Sequence, residues 1–238
     1  MRGKGFTFKK FYIDHSQCAM KVGTDGTLLG AWAALPDSEC KILDIGTGTG
    51  LIAIMAAQRA PKAHITAIDI DADCVVQARD NATASPWSDR IEIIESPLQE
   101  FNSEYKFDSI ISNPPYFIDS LTSPDAARTT ARHTAALPFE DLVAGVLRLL
   151  APNGTFSLIL PSTEFSRFCS AARGKMFITR KCEVWTTPES GAKRLMAEFS
   201  LTPPEELPSV EKLIIEDNGP RGYSDDYKKL TQDFYLKF

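Results

Sequence analysis

Residues 41–71 read KILDIGTGTGLIAIMAAQRAPKAHITAIDID. KILDI (41–45) is a short apolar run closed by glycines, the pattern of a buried strand. LIAIMAAQRA (51–60) follows as a helix, and Pro61 stops it. HITAIDI (64–70) returns to a strand. Strand, glycine turn, helix and strand make one β-α-β unit, and repeats of that unit build a parallel sheet with helices on both faces.

The flanking sequence repeats the unit. DADCVVQARDNATA (71–84) opens on acids, which suit a helix N-terminus. IEII (91–94) and FDSIIS (107–112) read as the third and fourth strands. PFEDLVAGVLRLL (138–150) carries Phe139, Leu142, Val143, Val146, Leu147 and Leu150 on a 3.6-residue stripe. PNG (152–154) should end that helix before a fifth strand at 155–161. A helix near 163–172 and strands near 177–186 and 194–202 complete a seven-stranded, mostly parallel sheet. TPPEELPSVE (202–211) reads as a surface loop. No internal repeat or low-complexity linker interrupts the chain.

Composition fits one α/β domain. The chain has 238 residues, 43% hydrophobic and 24% charged, with a formal charge of −5. That balance excludes a strongly basic nucleic-acid coat but not a local basic patch. Five cysteines stand without metal-ligand spacing, as expected of reduced thiols in a cytoplasmic protein. No apolar h-region opens the chain, and no run is long enough to span a membrane.

The glycine turn, LDIGTGTG (43–50), puts Gly46, Gly48 and Gly50 where a backbone must turn tightly and approach a ligand. Ligands of open α/β sheets bind at the carboxyl ends of the strands. The spacing is G-x-G-x-G rather than the dinucleotide G-x-G-x-x-G, which argues against a pyrophosphate at the helix end. Asp69 closes the second strand, where an acid can accept both hydroxyls of a ribose. The plainer alternative is a tight β-to-α turn without a ligand.

SNPPY (112–116) follows the fourth strand. Neither proline carries a hydrogen-bond donor, so neither continues a strand or helix, and the pair makes a stiff corner. The Asn113 side-chain oxygen and the Pro114 carbonyl can each accept a hydrogen of a planar amine, Pro115 stiffens the corner, and Tyr116 can stack on a base. A proline-rich strand end with a surface tyrosine is the alternative.

Together LDIGTGTG, AIDID and SNPPY resemble the class I methyltransferases that use S-adenosyl-L-methionine and carry an N-P-P-Y motif. The resemblance implies a single Rossmann-like domain and S-adenosylhomocysteine as product, with no metal. It also implies a cofactor site. Asp44 faces the methionine amino end, with Gly46, Thr47, Gly48 and Gly50 nearby. Asp69 and Ile70 meet the ribose, Ser96, Pro97 and Leu98 border the adenine, and Asn113 completes the site. Many members have Asp where this chain has Ser96. Val22, Gly23 and Thr24 would lie across the methionine carboxylate, and Thr24 and Asp25 would cap a helix running to Trp32.

The substrate is less legible. Adenine methylases of DNA or RNA, rRNA guanine methylases and release-factor glutamine methylases share the motif. An NAD-binding or non-catalytic nucleotide-binding Rossmann protein is the alternative from another class. Lys9 and Lys10 sit among Phe6, Phe8, Phe11 and Tyr12, a mixture that suits RNA, though a hairpin packed by its phenylalanines explains it equally. Arg128, Arg132 and His133 in RTTARHT (128–134) could grip RNA phosphates.

HSQCAMKVGTDGTLLGAW, SNPPYF, ARHT and LTQDFYLKF are similar to segments of the bacterial tRNA(Val) adenine-N(6) methyltransferases. That resemblance implies tRNA as partner, with the adenine 3′ of the anticodon as acceptor and the aromatic-basic tail either packed on the fold or touching RNA. On it, 1–238 is one methyltransferase domain. Residues 1–35 form a cofactor lid with possible RNA contact, 36–202 the catalytic core, and 203–238 a C-terminal extension.

Overall fold

The computed structural model describes residues 5–18, 21–115 and 137–238. Its central sheet has eight strands. In chain order they are β3 (Cys40–Ile45), β4 (Ala63–Asp69), β5 (Ile91–Glu95), β6 (Phe107–Ser112), β7 (Leu150–Pro161), β8 (Phe177–Trp185), β9 (Ala192–Ser200) and β10 (Ser209–Ile214). They lie in the order β10-β8-β9-β7-β6-β3-β4-β5. β5, β4, β3, β6 and β7 run parallel, and β9 is antiparallel to both β7 and β8. β1 (Gly5–Thr7) and β2 (Tyr12–Asp14) form a separate hairpin. The helices are α1 (Thr24–Trp32), α2 (Leu51–Arg59), α3 (Ala72–Ala84), α4 (Phe139–Leu149), α5 (Ser162–Ala172) and α6 (Asp225–Thr231). No helix among the described residues is long and apolar enough to cross a membrane.

Side chains alternate across β3 as its pleat requires. Ile42 joins the core under α1, α2 and α3, while Leu43 and Ile45 join the core under α4 and α5. A third cluster draws Phe8, Phe11 and Ile13 together with Phe234. Phe8 and Phe11 of the first segment are therefore core while Phe6 is exposed, and the C-terminal tail packs back onto the buried pair. Phe8 and Phe11 stack at 4.6 Å between ring centroids.

Two arginines close helices that the sequence leaves uncapped. Helix ends leave carbonyls without partners. Arg90 donates to the carbonyls of Ala57, Ala60 and Ala63 at the end of α2. Arg59 donates to Gly30 and Ala33 at the end of α1. Asp71 caps α3 by accepting from the Asp73 and Cys74 amides.

Three expectations change. PNG (152–154) does not precede β7 but lies within it, because β7 begins at Leu150 and slips register beside β6 between Phe107 and Ser109. Gly154 fits that slip, since a Cβ there would sit 3.0 Å from the Asp108 carbonyl. On α4, Leu149 rather than Leu147 completes the buried stripe. The expected surface loop at 202–211 holds over 202–208, but from Ser209 the chain forms β10, which extends the seven expected strands to eight along β8. An edge strand has one neighbour, and β10 buries only Leu213, so it lacks the apolar alternation of an inner strand.

α4 also fixes the loop after β5. Leu98 is buried against Gly145, where a Cβ would come within 2.6 Å of the leucine. Arg148 donates to the Leu98 carbonyl at 2.7 Å and to the Phe101 carbonyl. Gly145→Val is expected to cost about 1–3 kcal/mol through overpacking, read as a lower denaturant midpoint. An unchanged midpoint would show that the contact yields freely.

Candidate active site

The sheet order reverses between β3 and β6. β4 and β5 extend one way from β3, and the chain then crosses to β6 on its other side. At such a switch the loops leave the sheet in opposite directions and open a crevice. Ile45 pairs with Ser112 across it, and the Ser112 hydroxyl donates to the Ile45 carbonyl at 2.9 Å. The next residues are Gly46 on one strand and Asn113 on the other.

Gly46, Gly48 and Gly50 have φ of 71°, 54° and 80°, a region that strains any L side chain. The Gly46 and Thr47 amides both donate to the Ile68 carbonyl, which ties the turn to the end of β4. A Cβ on Gly46 would sit 3.9 Å from the Pro115 ring, so the turn and the proline corner are neighbours. Gly26 of α1 lies next to the Asn113 amide by the same measure.

A cavity of about 440 Å³ opens where these segments meet, in the range of small-molecule sites. Of the expected site residues, Val22, Gly23, Thr24, Gly46, Thr47, Gly48, Asp69, Ile70, Ser96, Pro97, Leu98, Asn113, Pro114 and Pro115 line it. Two expected residues stand behind the wall instead. Gly50, whose φ already calls for glycine, faces α3, where a Cβ would meet Ala78 at 3.3 Å. Asp44 is 1% exposed and lies beneath the turn. Tyr116, Arg128, Arg132 and His133 fall outside the described residues.

The two acids differ in their partners. Asp44 Oδ2 accepts from the Thr47 hydroxyl at 2.6 Å and the Ala53 amide at 3.2 Å. Its Oδ1 is buried with no partner among the described residues. Burial dominates and pushes this carboxyl up to about 7, opposed by the Thr47 bond and reinforced by the Asp69 charge. Asp69 accepts from the Gly48 amide at 2.7 Å through Oδ2 and from the Asp71 amide at 3.0 Å through Oδ1. Burial raises it too, against those amide bonds.

The structure adds lining residues that sequence reasoning missed: Cys18, Lys21, Asp25, Asp71, Cys74 and Gln99. The Cys18 thiol and burial both push Cys74 up, and the two cysteines form part of the wall. Lys21, Asp25, Asp71, Cys74 and Gln99 adjoin or stand near expected site residues in sequence, which was the available signal; Cys18 had none.

α1 is held from outside the cavity. Gly23 is its N-cap and supplies no side chain, so Thr24 and Asp25 do not cap it as expected. Asp25 instead pairs with Arg194 of β9 at 2.7 Å. At the other end Arg180 lies 3.8 Å over the Trp32 ring, and the indole donates to Glu211. Of the expected RNA contacts on the hairpin, Lys9 donates to the Gln232 carbonyl at the C-terminal segment, and Lys10 is exposed.

Known proteins bear on this site. The methyltransferase small domain matches residues 23–160. A protein of Phocaeicola vulgatus named tRNA1(Val) (adenine(37)-N6)-methyltransferase is 48% identical over 97% of this chain and 97% of its own. Proteins of the same name from Bacteroides thetaiotaomicron and Aeromonas hydrophila are each 43% identical, over 97% and 99% of both chains. Among solved structures, an Agrobacterium tumefaciens protein described as an O-methyltransferase superposes with a TM-score of 0.65 at 22% identity, covering 88% of this chain and 96% of its own. At that identity the likeness concerns the fold. By sequence and by architecture, the chain belongs to the small-domain methyltransferases, in the family of the tRNA1(Val) (adenine(37)-N6)-methyltransferases.

Proposed function

We propose that this chain methylates the exocyclic amino nitrogen of an adenine in tRNA, at the position 3′ of the anticodon of tRNA(Val), using S-adenosyl-L-methionine. One observation carries the reading: the glycine turn after β3 and the Asn113-Pro114-Pro115 corner after β6 wall one cavity. The relatives' shared name supports the choice of acceptor.

The residues fit the cofactor. Glycines 46 and 48 leave room along the turn and Asp69 is a ribose acceptor, while Asp44 supports the turn from beneath through the Thr47 hydroxyl and the Ala53 amide. Bound there, S-adenosylmethionine supplies a methyl group already activated by its sulfonium. The chain supplies placement. An adenine amine is conjugated with its ring, so its lone pair is a poor nucleophile. Asn113 Oδ1 and the Pro114 carbonyl accept its two hydrogens, aim the nitrogen and favour its becoming tetrahedral. The prolines hold both acceptors without an ordering cost at each turnover. Tyr116 follows in sequence and would offer a stacking face. The base must leave its loop stack to reach the corner, as base-modifying enzymes require. A tRNA substrate places the chain in the cytoplasm, and Arg128, Arg132 and His133 are the proposed phosphate grip.

The test is incubation of the chain and labelled S-adenosylmethionine with unmodified tRNA and, separately, with purified release factor, followed by nucleoside and amino-acid analysis. The reading expects labelled N6-methyladenosine in tRNA(Val). Label in a release-factor glutamine instead, or in no acceptor, would overturn it.

Asp44 gives the fold a pH signature. Burial raises its pKa, so the unliganded fold binds this proton more tightly than the unfolded chain does. Folding stability on this account falls as pH rises from the ordinary carboxylate range through about 7. The denaturant midpoint of the wild type should therefore fall from about pH 5 to about pH 8, and Asp44→Asn should flatten that fall; a flat wild-type profile would contradict the raised carboxyl.

A further inference from the structure

We infer that Asn81 and Gln77 of α3 are positioning residues for the cofactor: they pin residues 14–18 beside the glycine turn, and cofactor affinity depends on that pin. The inference rests on the cavity being the S-adenosylmethionine site. α3 buries two side-chain amides, with Gln77 2% and Asn81 4% exposed. A buried amide destabilises a fold unless its donors and acceptors find partners. Cys74, Gln77 and Asn81 stand three and four residues apart, so they share one face of the helix. α3 thus carries a buried polar stripe.

The main chain that crosses the stripe matches it. Asn81 Oδ1 accepts from the Asp14 amide at 2.9 Å. Its Nδ2 donates to the Asp14 carbonyl and to the Thr49 carbonyl, each at 2.8 Å. The oxygen and the NH2 of one side chain therefore join the end of β2 to the glycine turn. Gln77 Oε1 accepts from the Gln17 amide at 3.2 Å and from the Ser16 hydroxyl at 3.5 Å. Nearer the start of α3, the Cys18 thiol bonds with Cys74. Residues 14, 16–17 and 18 dock in turn on 81, 77 and 74, running against the helix direction.

The pin acts on the cavity from behind. Neither Asn81 nor Gln77 lines it, but Cys18, Thr49 and Cys74 do. His15, inside the docked segment, accepts at Nδ1 from the amide of Val22, another lining residue, at 3.4 Å. Ala78 of the same helix packs against Gly50. α3 is therefore the common reference for the turn and for the segment that walls the cavity beside it. Apolar side chains would fill the space without direction. The two amides fix backbone groups at set positions, which holds the wall in place before the ligand arrives.

The experiment joins calorimetry with S-adenosylhomocysteine to alkylation of the full chain by N-ethylmaleimide, read cysteine by cysteine by mass spectrometry. Cys18 reports the segment, and Cys182, buried in the core, reports global opening. Asn81→Ala should weaken S-adenosylhomocysteine binding about tenfold, and the loss should appear in KM for S-adenosylmethionine more than in kcat. Cys18 should react at least about fivefold faster while Cys182 keeps its wild-type rate. Gln77→Met retains the volume but not the acceptor, and should move both readouts the same way without opening a cavity. Faster Cys18 labelling with unchanged affinity in both variants overturns the dependence of the cofactor on the pin. Unchanged Cys18 labelling overturns the pin itself. Cys18 and Cys182 speeding up together would make the amides general stabilisers and overturn the positioning role. Failure of the wild type to bind S-adenosylhomocysteine removes the cofactor reading, and the inference with it.

Discussion

Asn113→Ala is expected to lower methyl transfer to tRNA by about 10²–10³-fold while S-adenosylhomocysteine still binds. In the proposed chemistry the side chain supplies one of two fixed acceptors at the corner. Without it the amine keeps only the Pro114 carbonyl, and its nitrogen is no longer aimed. The loss should appear in turnover because the acceptors act on the amine as its geometry changes. Asn113→Asp retains an oxygen acceptor and should keep more activity than the alanine variant. Single-turnover transfer of labelled methyl, beside calorimetry with S-adenosylhomocysteine, separates the effects. Near-wild-type turnover in Asn113→Ala would refute the chemistry proposed for the corner.

Asp69→Ala should act on binding. Its carboxylate holds the Gly48 and Asp71 amides, so one substitution removes the proposed ribose acceptor and loosens the turn. Lost hydrogen bonds to a charged group cost about 1.5–3 kcal/mol, roughly a tenfold to hundredfold weaker cofactor complex. Asp69→Asn keeps one acceptor oxygen and should fall between alanine and wild type. Unchanged affinity in Asp69→Ala would take this acid out of the ribose site.

The sequence revealed most where local pattern and global fold agree. KILDI, HITAIDI and FDSIIS are buried strands flanked by turn residues, and β3, β4 and β6 match them to within a residue. LDIGTGTG and SNPPY each carry backbone chemistry that few other structures need, so both could be placed at strand ends. β10 was hidden because an exposed edge strand buries one side chain and has no period to read. β7 was truncated because Pro152 and Gly154 signal a turn, while the register slip beside β6 accommodates them within a strand. The capping roles of Arg59 and Arg90 depend on residues about thirty positions away, which no local pattern reports. Gly50 has a second reason that no motif states: besides its φ of 80°, a Cβ there would meet Ala78 of α3 at 3.3 Å.

The central claim is that the turn after β3 and the corner after β6 form a single site. A crystal structure of the chain with S-adenosylhomocysteine tests it most directly. The account predicts the ligand in the cavity walled by Gly46, Gly48 and Asp69, with its sulfur facing the Asn113-Pro114-Pro115 corner. A ligand bound elsewhere, or an Asn113 side chain turned away from it into the protein, would contradict the account.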